Sequence, residues 1–238
     1  MPDVRSAVIL AAGEGRRLLP LTAATPKVML PLAGRPLLEH LIRLCRQAGA
    51  TEVYLNLFHA KQKILDHCGD GATWGVHIHY LHIPELRPPL TDVHIFADEI
   101  AGPFFVLYGD VATTLDLAVL AVHHARQRAD ATMVLRATDH PHDSDLAAIG
   151  PAGFIQRFVP KGTWAGETGL YGNAGCYVLE SEFVRRRRYQ PGTDFIDGLF
   201  APALPQARLA GYVSTAWMLD IGTPERYARA QAEFRPAV

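Results

Sequence analysis

The segment Gly13-Glu14-Gly15-Arg16-Arg17 follows a short apolar run, Ala7 to Ala12, and leads through Pro20-Leu21-Thr22 to Pro26-Lys27. Glycines directly after a strand let backbone approach a polyphosphate closely, and their N–H groups can point at its oxygens. Arginine and lysine nearby supply the countercharge. A dinucleotide fingerprint would need a third glycine where Leu18 stands, and a Walker A loop would need Gly-Lys-Ser/Thr, which is absent. Leu10, Ala11, Ala12, Gly13, Gly15 and Arg17 are therefore the candidate nucleotide-binding residues. A second candidate is Asp110, placed after the apolar run Phe104 to Tyr108 with Gly109 beside it to leave room for a substrate. A carboxylate at the end of a buried strand suits Mg²⁺, whose charge neutralisation is much of what phosphoryl transfer needs.

Elements must hold these residues in place. Apolar runs at Ala7–Ala12, Glu52–Phe58, Val76–Leu81 and Phe104–Tyr108 predict strands. Helical spacing predicts helices over Leu37–Ala48, Ala60–His67, Thr91–Ile100 and Leu115–Arg128. This βαβα order implies an α/β fold, with a mostly parallel sheet between helices and ligands beyond the carboxyl ends of the strands. Strands at Ala131–Ala137, Phe154–Val159, Cys176–Leu179 and Arg208–Val213, separated by Gly/Pro-containing loops, predict mixed pairing in the second half. Thr223-Pro224 is a helix start, with Thr as cap and Pro at the first helical position.

Composition narrows the function classes. The 238 residues carry 23 Lys and Arg against 24 Asp and Glu, a formal net charge of −1, which argues against a nucleic-acid partner. The one tight basic run, Arg185 to Arg188, reads as a solvated helical face. With 49% hydrophobic residues the chain can bury a sizeable core, and no linker-like stretch divides it, so a single domain over 1–238 is expected. No apolar stretch approaches the ~20 residues that span a bilayer, so a cytoplasmic location and no membrane partner are expected. Cys45, Cys68 and Cys176 read as reduced core thiols, and Phe104-Phe105 as core. Of the eleven histidines, His77 and His79 share a strand face with His82 nearby, and His140 and His142 flank a proline. A closed zinc site needs four N or S ligands at matching spacings. None is visible, so these side chains read as solvated or hydrogen-bonded.

The string Gly13-x-Gly15-x-Arg17-Leu18-x-Pro20-Leu21-Thr22-x-x-x-Pro26-Lys27-x-x-Leu30-Pro31 resembles the signature of the sugar-1-phosphate nucleotidylyltransferases. The resemblance continues through Gly109-Asp110-Val111, Asn173-Ala174-Gly175 and Leu219-Asp220-Ile221-Gly222-Thr223-Pro224-Glu225. It implies a Rossmann-like three-layer αβα sandwich with a mixed, mostly parallel central sheet. It also implies transfer of a nucleoside monophosphate from a triphosphate to a sugar 1-phosphate, with release of pyrophosphate. By the same resemblance Arg17 contacts the triphosphate, Lys27 sits on the transferring or incoming phosphate, and Asp110 and Asp220 ligate Mg²⁺. Arg17, Lys27 and Asp110 are then the catalytic set. Taken alone, Asp220 reads as a turn residue. Asn173 corresponds to the family asparagine that bonds sugar hydroxyls, and Lys161 to a lysine reaching the sugar or its phosphate, although Pro160 replaces the usual preceding glutamate. Gly109 joins these two as a substrate-side residue, and homodimers are common in the family. No hexapeptide repeat follows, so neither a β-helix extension nor acetyl transfer is expected.

Two stretches bear on the substrate. Many relatives carry a glycine-rich turn at the nucleobase where this chain reads Pro84-Glu85-Leu86-Arg87-Pro88-Pro89-Leu90-Thr91-Asp92, about two residues shorter and without glycine. Glu85 is the candidate base-side residue there, and a rebuilt turn is expected over Leu90–Phe96. Thr91 to Phe96 resembles a phosphocholine cytidylyltransferase branch, against which Asn173-Ala174-Gly175 argues. Asp139 to Leu146, and Pro191 to Phe195 with the acidic helix start at Asp194, are similar to the bacterial heptose and mannose 1-phosphate guanylyltransferases. A heptose or mannose 1-phosphate with GTP is thus the expected pair, and Asp194 a candidate substrate residue. The alternatives are a cytidylyltransferase for a non-sugar phosphate and a catalytically silent nucleotide-binding paralogue.

Overall fold

The structure is a computed structural model that describes residues 3–138, 140–187 and 192–236. Asp139, Arg188 and Pro191, named above within motifs, lie outside the described residues. The chain divides into two compact units, each assembled from separated segments. Because neither unit is contiguous, no linker marks the division in the sequence.

The first unit comprises residues 3–86, 106–118 and 216–238. It contains strands β1 (Ser6–Leu10), β2 (Pro31–Leu32), β3 (Arg35–Pro36), β4 (Glu52–Leu57) and β5 (His77–His82), and the end of β6 (Pro103–Tyr108). The strand order is β6-β1-β4-β5, with β1, β4 and β5 parallel. Val8, Ile9, Val53, Leu55 and Leu107 are buried along these strands. Burial on both faces explains their near-continuous apolar runs. Helix α1 (Leu37–Gln47) turns Leu37, Leu38, Leu41, Ile42 and Cys45 inward, the helical spacing seen in the sequence. Helix α2 (Gln62–Cys68) joins β4 to β5.

The second unit holds residues 87–105 and 119–215. Here β8 (Ala131–Arg136) pairs antiparallel with β11 (Leu170–Glu180) and parallel with β12 (Leu209–Val213). Antiparallel pairing also joins β9 (Leu146–Ile149) to β10 (Ile155–Val159) and to β11. The strand set is therefore mixed, as expected, with helices packed against it. Phe104 and Phe105 are fully buried core residues. Among the described residues no helix is long and apolar enough to cross a membrane, and all three cysteines are buried and outside any disulfide.

The helix expected over Thr91–Ile100 is present as α3 (Pro89–Glu99). It begins two residues earlier and takes in the Leu90–Phe96 stretch that was also expected to form a rebuilt turn, with Pro at its first position, where the missing N–H costs nothing. Arg87 reaches into this start and pairs with Asp92 at 2.6 Å, and the Asp92 side chain is completely buried. The start of the helix is thus fixed by an ion pair whose carboxylate is buried. One expectation needs correction: the Arg185 to Arg187 part of the basic run is not simply solvated. It straddles the end of α5 (Ser181–Arg185), where Arg185 Nη1 donates to the carbonyls of Ala97 and Ile100 at 2.8 and 3.0 Å. These are carbonyls at the end of α3, which a helix leaves without internal partners.

Candidate active site

In the first unit, β1 delivers the glycine loop. Asn56, a buried polar residue on β4, accepts from the N–H groups of Ala11 and Ala12 at 2.6 and 3.2 Å. These two amides therefore anchor the loop to the sheet and do not point at a ligand. Gly15 has φ of 67°, the left-handed region that glycine occupies without strain. Its carbonyl accepts from Thr22 Oγ1 at 2.8 Å. A side chain on Gly15 would also collide with Thr22, since a Cβ there falls 2.9 Å from Thr22 Cγ2. This closure accounts for the sequence linkage of Gly15, Pro20 and Thr22. Gly13 stays exposed, and a Cβ placed on it would lie 3.9 Å from Lys27 Nζ, so the lysine passes directly beneath the open glycine.

Lys27 opens a short 3₁₀ turn, Lys27–Met29, after Pro26. Its ammonium makes an ion pair with the Asp110 carboxylate, and both side chains are largely buried. Asp110 follows β6 and precedes β7 (Val111–Thr113). That strand pairs antiparallel with β13 (Met218–Asp220), so that Asp220 lies opposite Val111. The Ile221 N–H donates to the Asp110 carbonyl at 2.9 Å. The ladder brings the two carboxylate positions, 110 residues apart in sequence, side by side. Asp220 in turn receives both its oxygens' partners from one nitrogen of Arg226, at 2.9 and 2.7 Å. Arg226 stands in the first turn of α7 (Pro224–Glu233), whose cap is Thr223: its Oγ1 accepts from Arg226 N at 3.3 Å. The Arg17 guanidinium reaches the same place, because a Cβ on Gly222 would lie 3.0 Å from Arg17 Nη2 and 2.9 Å from Asp220 Oδ1. Arg17, Lys27, Asp110 and Asp220 are thereby gathered in one unit.

Gly109 lies tight against β1. A Cβ there would overlap the Leu10 carbonyl oxygen and fall 2.9 Å from Val28 Cγ1. The glycine makes room for β1, whose Leu10 carbonyl also accepts from the Gly109 N–H at 3.0 Å. In this way it sets the height of Asp110. Glu85 lies on an exposed loop after β5.

In the second unit, the residues assigned to the sugar converge on Asp145, which sequence reasoning had noted only inside a motif. Asp145 Oδ1 accepts from the Lys161 N–H at 2.9 Å, and its carbonyl accepts from Asn173 N at 2.9 Å. Burial pushes the Asp145 carboxyl above the usual range, and the carboxylates of Asp194 and Asp197 add to this; the Lys161 N–H pulls the other way. The Lys161 side chain is exposed. The Asn173 amide donates to Tyr177 Oη at 2.7 Å while its oxygen accepts from Gly175 N at 3.0 Å. These bonds orient the side chain and leave it one further amide proton to offer. Asp194 proves to be a helix cap: Oδ1 accepts from the N–H groups of Ile196 and Asp197 at 3.0 and 3.1 Å. One carboxylate oxygen is thus committed to starting the Ile196–Phe200 π-helical turn, the acidic helix start expected of Asp194.

Asn56 and Arg226 are residues of this region that the motifs did not announce. Asn56 had a readable signal, a polar residue at the end of the apolar run Val53-Tyr54-Leu55. Arg226 had none, since it acts through a contact that only folding creates, and Asp145 was visible only as one member of the Asp139–Leu146 stretch.

The nucleotidyl transferase family profile matches residues 6–235. A mannose-1-phosphate guanylyltransferase of Mycobacterium tuberculosis is 33% identical over 236 residues, covering 95% of this chain and 64% of that protein. An N-acetylmuramate alpha-1-phosphate uridylyltransferase of Neisseria meningitidis is 32% identical over 237 residues, covering 95% of this chain and 96% of that protein. Some relatives are thus longer: the chain spans a little under two thirds of the first and nearly all of the second. Among solved structures, a UDP-glucose pyrophosphorylase of Acinetobacter baumanii superposes with a TM-score of 0.82 at 20% identity, over 96% of this chain and 92% of that one. HddC of Yersinia pseudotuberculosis, complexed with GMP-PN, superposes with a TM-score of 0.76 at 23% identity, over 98% and 100%. At these identities the structures speak for the Rossmann-like fold. The match over almost the whole length shows that this chain belongs to the nucleotidyl transferase family.

Proposed function

We propose that the protein joins a nucleoside triphosphate to a sugar 1-phosphate, releasing pyrophosphate, with GTP and a mannose or heptose 1-phosphate as its substrates. The observation that carries this reading is the Lys27–Asp110 ion pair beneath the open Gly13, beside Arg17 and Asp220. Two cations and two carboxylates gathered under a glycine loop suit two anionic substrates, for which positioning and charge neutralisation are most of catalysis. A sugar phosphate is already largely ionised near neutral pH, so its oxygen can attack the α-phosphorus without a general base. Lys27 and Arg17 would bind the α-phosphate and the departing pyrophosphate.

The donor chemistry fits Mg²⁺. Asp110 and Asp220 offer hard carboxylate oxygens at neighbouring positions of the β7–β13 ladder, and both now pair with cations, so each carries the charge that a metal would meet. When bound, the metal would neutralise charge on the substrates' phosphates. Arg226 would steer Asp220, and Lys27 would be freed from Asp110 to hold phosphate. Lys161 and Asn173 would take the sugar phosphate and hydroxyls, and Glu85 would lie on the base side. Phosphocholine as acceptor is disfavoured by the names of the two sequence relatives above, a mannose-1-phosphate guanylyltransferase and an N-acetylmuramate alpha-1-phosphate uridylyltransferase. A cytoplasmic site of action follows from the triphosphate supply.

The test is pyrophosphate release with GTP, UTP, CTP, ATP and dTTP, crossed with mannose, heptose, glucose and N-acetylmuramate 1-phosphates and phosphocholine. GTP with a mannose or heptose phosphate should dominate. UTP with N-acetylmuramate 1-phosphate as the best pair would move the assignment to the Neisseria relative's specificity, and silence throughout would favour a nucleotide-binding paralogue.

A further inference from the structure

From the geometry of β4 and β5 we infer a second metal site, for a transition-metal dication of the zinc type, formed by Glu52, His77 and His79. His77 and His79 are two apart on β5, so strand alternation puts both on one face. Glu52 is the register partner of His77 across the parallel β4–β5 pair. Its Oε2 lies 2.7 Å from His79 Nε2 and 3.4 Å from His77 Nδ1. One ligand atom from each of the three residues falls within 4.8 Å of the other two. A tetrahedral zinc with ligands at ~2.0–2.1 Å separates its ligand atoms by about 3.4 Å. The His77–Glu52 spacing already matches this, and the shorter His79–Glu52 contact needs an opening of well under 1 Å.

Three further features favour a metal over a mere hydrogen-bonded trio. The His79 ring is stacked on Tyr54 at 4.4 Å and 11°, which holds its orientation as outer-shell partners of metal-bound histidines do. The two imidazoles sit 4.4 Å apart, centre to centre, close enough for their ring nitrogens to meet one cation. Finally the trio faces solvent, with the His77 side chain 63% exposed and those of His79 and Glu52 32% and 37% exposed, so water can supply a fourth ligand. Two imidazoles and a carboxylate select zinc, nickel or copper over magnesium, which prefers oxygen alone. This site therefore differs in ligand chemistry from the carboxylate pair Asp110 and Asp220, and a metal here would bind β5 to β4 at the sheet margin.

Tag-free, metal-stripped protein is titrated with Zn²⁺ by calorimetry, in millimolar Mg²⁺ so that the carboxylate pair is occupied. Wild type should bind one Zn²⁺ that His77→Gln/His79→Gln loses, and Glu52→Gln should weaken it by at least about tenfold, a full step on the affinity scale. Each variant's zinc-free melting temperature is measured alongside, His77 being exposed and Glu52 and His79 partly buried, so that loss of a site is separated from loss of the fold. As a second readout, Co²⁺ should give visible absorption bands in wild type that the double variant lacks. Zinc binding of equal stoichiometry and affinity in the double variant, or none in wild type, would overturn the site.

Discussion

Replacing Gly109 with alanine tests how the fold positions Asp110. Gly109 does not use the left-handed backbone region, so alanine is conformationally allowed there. On backbone entropy alone the change would stabilise by about 0.4–1 kcal/mol. Sterics oppose this, because the new methyl overlaps the Leu10 carbonyl oxygen and approaches Val28 Cγ1 to 2.9 Å. A backbone oxygen inside a parallel sheet cannot step aside as a flexible side chain can, so the upper end of the overpacking range, about 3 kcal/mol, applies. The net loss is roughly 2 kcal/mol, and for a chain of this size each kcal/mol lowers the melting temperature by about 2–4 °C. A fall of about 4–8 °C is expected by thermal melts of Gly109→Ala. The end of β6 must shift to relieve the overlap, and Asp110 is the next residue, so turnover should fall about 100-fold. Gly13→Ala is the contrasting control, since its Cβ meets only Lys27 Cε at an ordinary 3.7 Å. Its melting temperature should stay within about 1 °C of wild type, while the KM for triphosphate rises. An unchanged melting temperature for Gly109→Ala would refute the packing argument, and normal turnover in a destabilised variant would refute the link to Asp110.

Asn56→Ala strips the acceptor from the buried N–H groups of Ala11 and Ala12 and should cost about 2–3 kcal/mol, read by urea unfolding, with a raised KM for triphosphate. Asp145→Asn keeps the acceptor for the Lys161 N–H but removes a carboxylate whose folded pKa is raised by burial. Because the folded form holds that proton more tightly than the unfolded chain, wild type loses stability as pH rises through the window from the ordinary aspartate value to the raised one. The stability advantage of Asp145→Asn should therefore be present at pH 7 and fade as pH falls below that window, a trend that thermal melts across pH would show or deny. Burial pushes the thiols of Cys68 and Cys176 up to about 12, so a thiol reagent at pH 8 should label neither until the protein unfolds; rapid labelling of folded protein would contradict their placement.

Much of this was legible before folding. The buried parallel strands announced themselves as near-continuous apolar runs, and α1 by its spacing, because burial on two faces and on one stripe leave different periods in a sequence. The glycine loop and the string from Gly15 to Lys27 were readable because turn geometry and countercharge are local demands. What stayed hidden depends on distant pairing. By spacing alone Asp220 reads as a turn residue, and only the family resemblance marked it out; the β7–β13 ladder that sets it opposite Val111 was hidden, because β7 and β13 are only three residues each, too short to show a period. The helix over Thr91–Ile100 was legible to within two residues of its start, but the Arg87–Asp92 ion pair that fixes that start was not, because it depends on where the loop residue Arg87 folds back. Gly109 and Asp194 were visible as unusual residues, but whether a glycine serves a ligand or a neighbouring strand is decided by what faces it.

The central claim is that the residues around Lys27 transfer a nucleotidyl group to a sugar phosphate. It is tested most directly by following label from [α-³²P]GTP, with mannose 1-phosphate and Mg²⁺, in wild type, Lys27→Met and Asp110→Asn. Label should move into a sugar nucleotide in step with pyrophosphate release, fall by about 100-fold or more in both variants, and vanish without metal. Label recovered as free GMP, or transfer undiminished in Lys27→Met, would contradict the account.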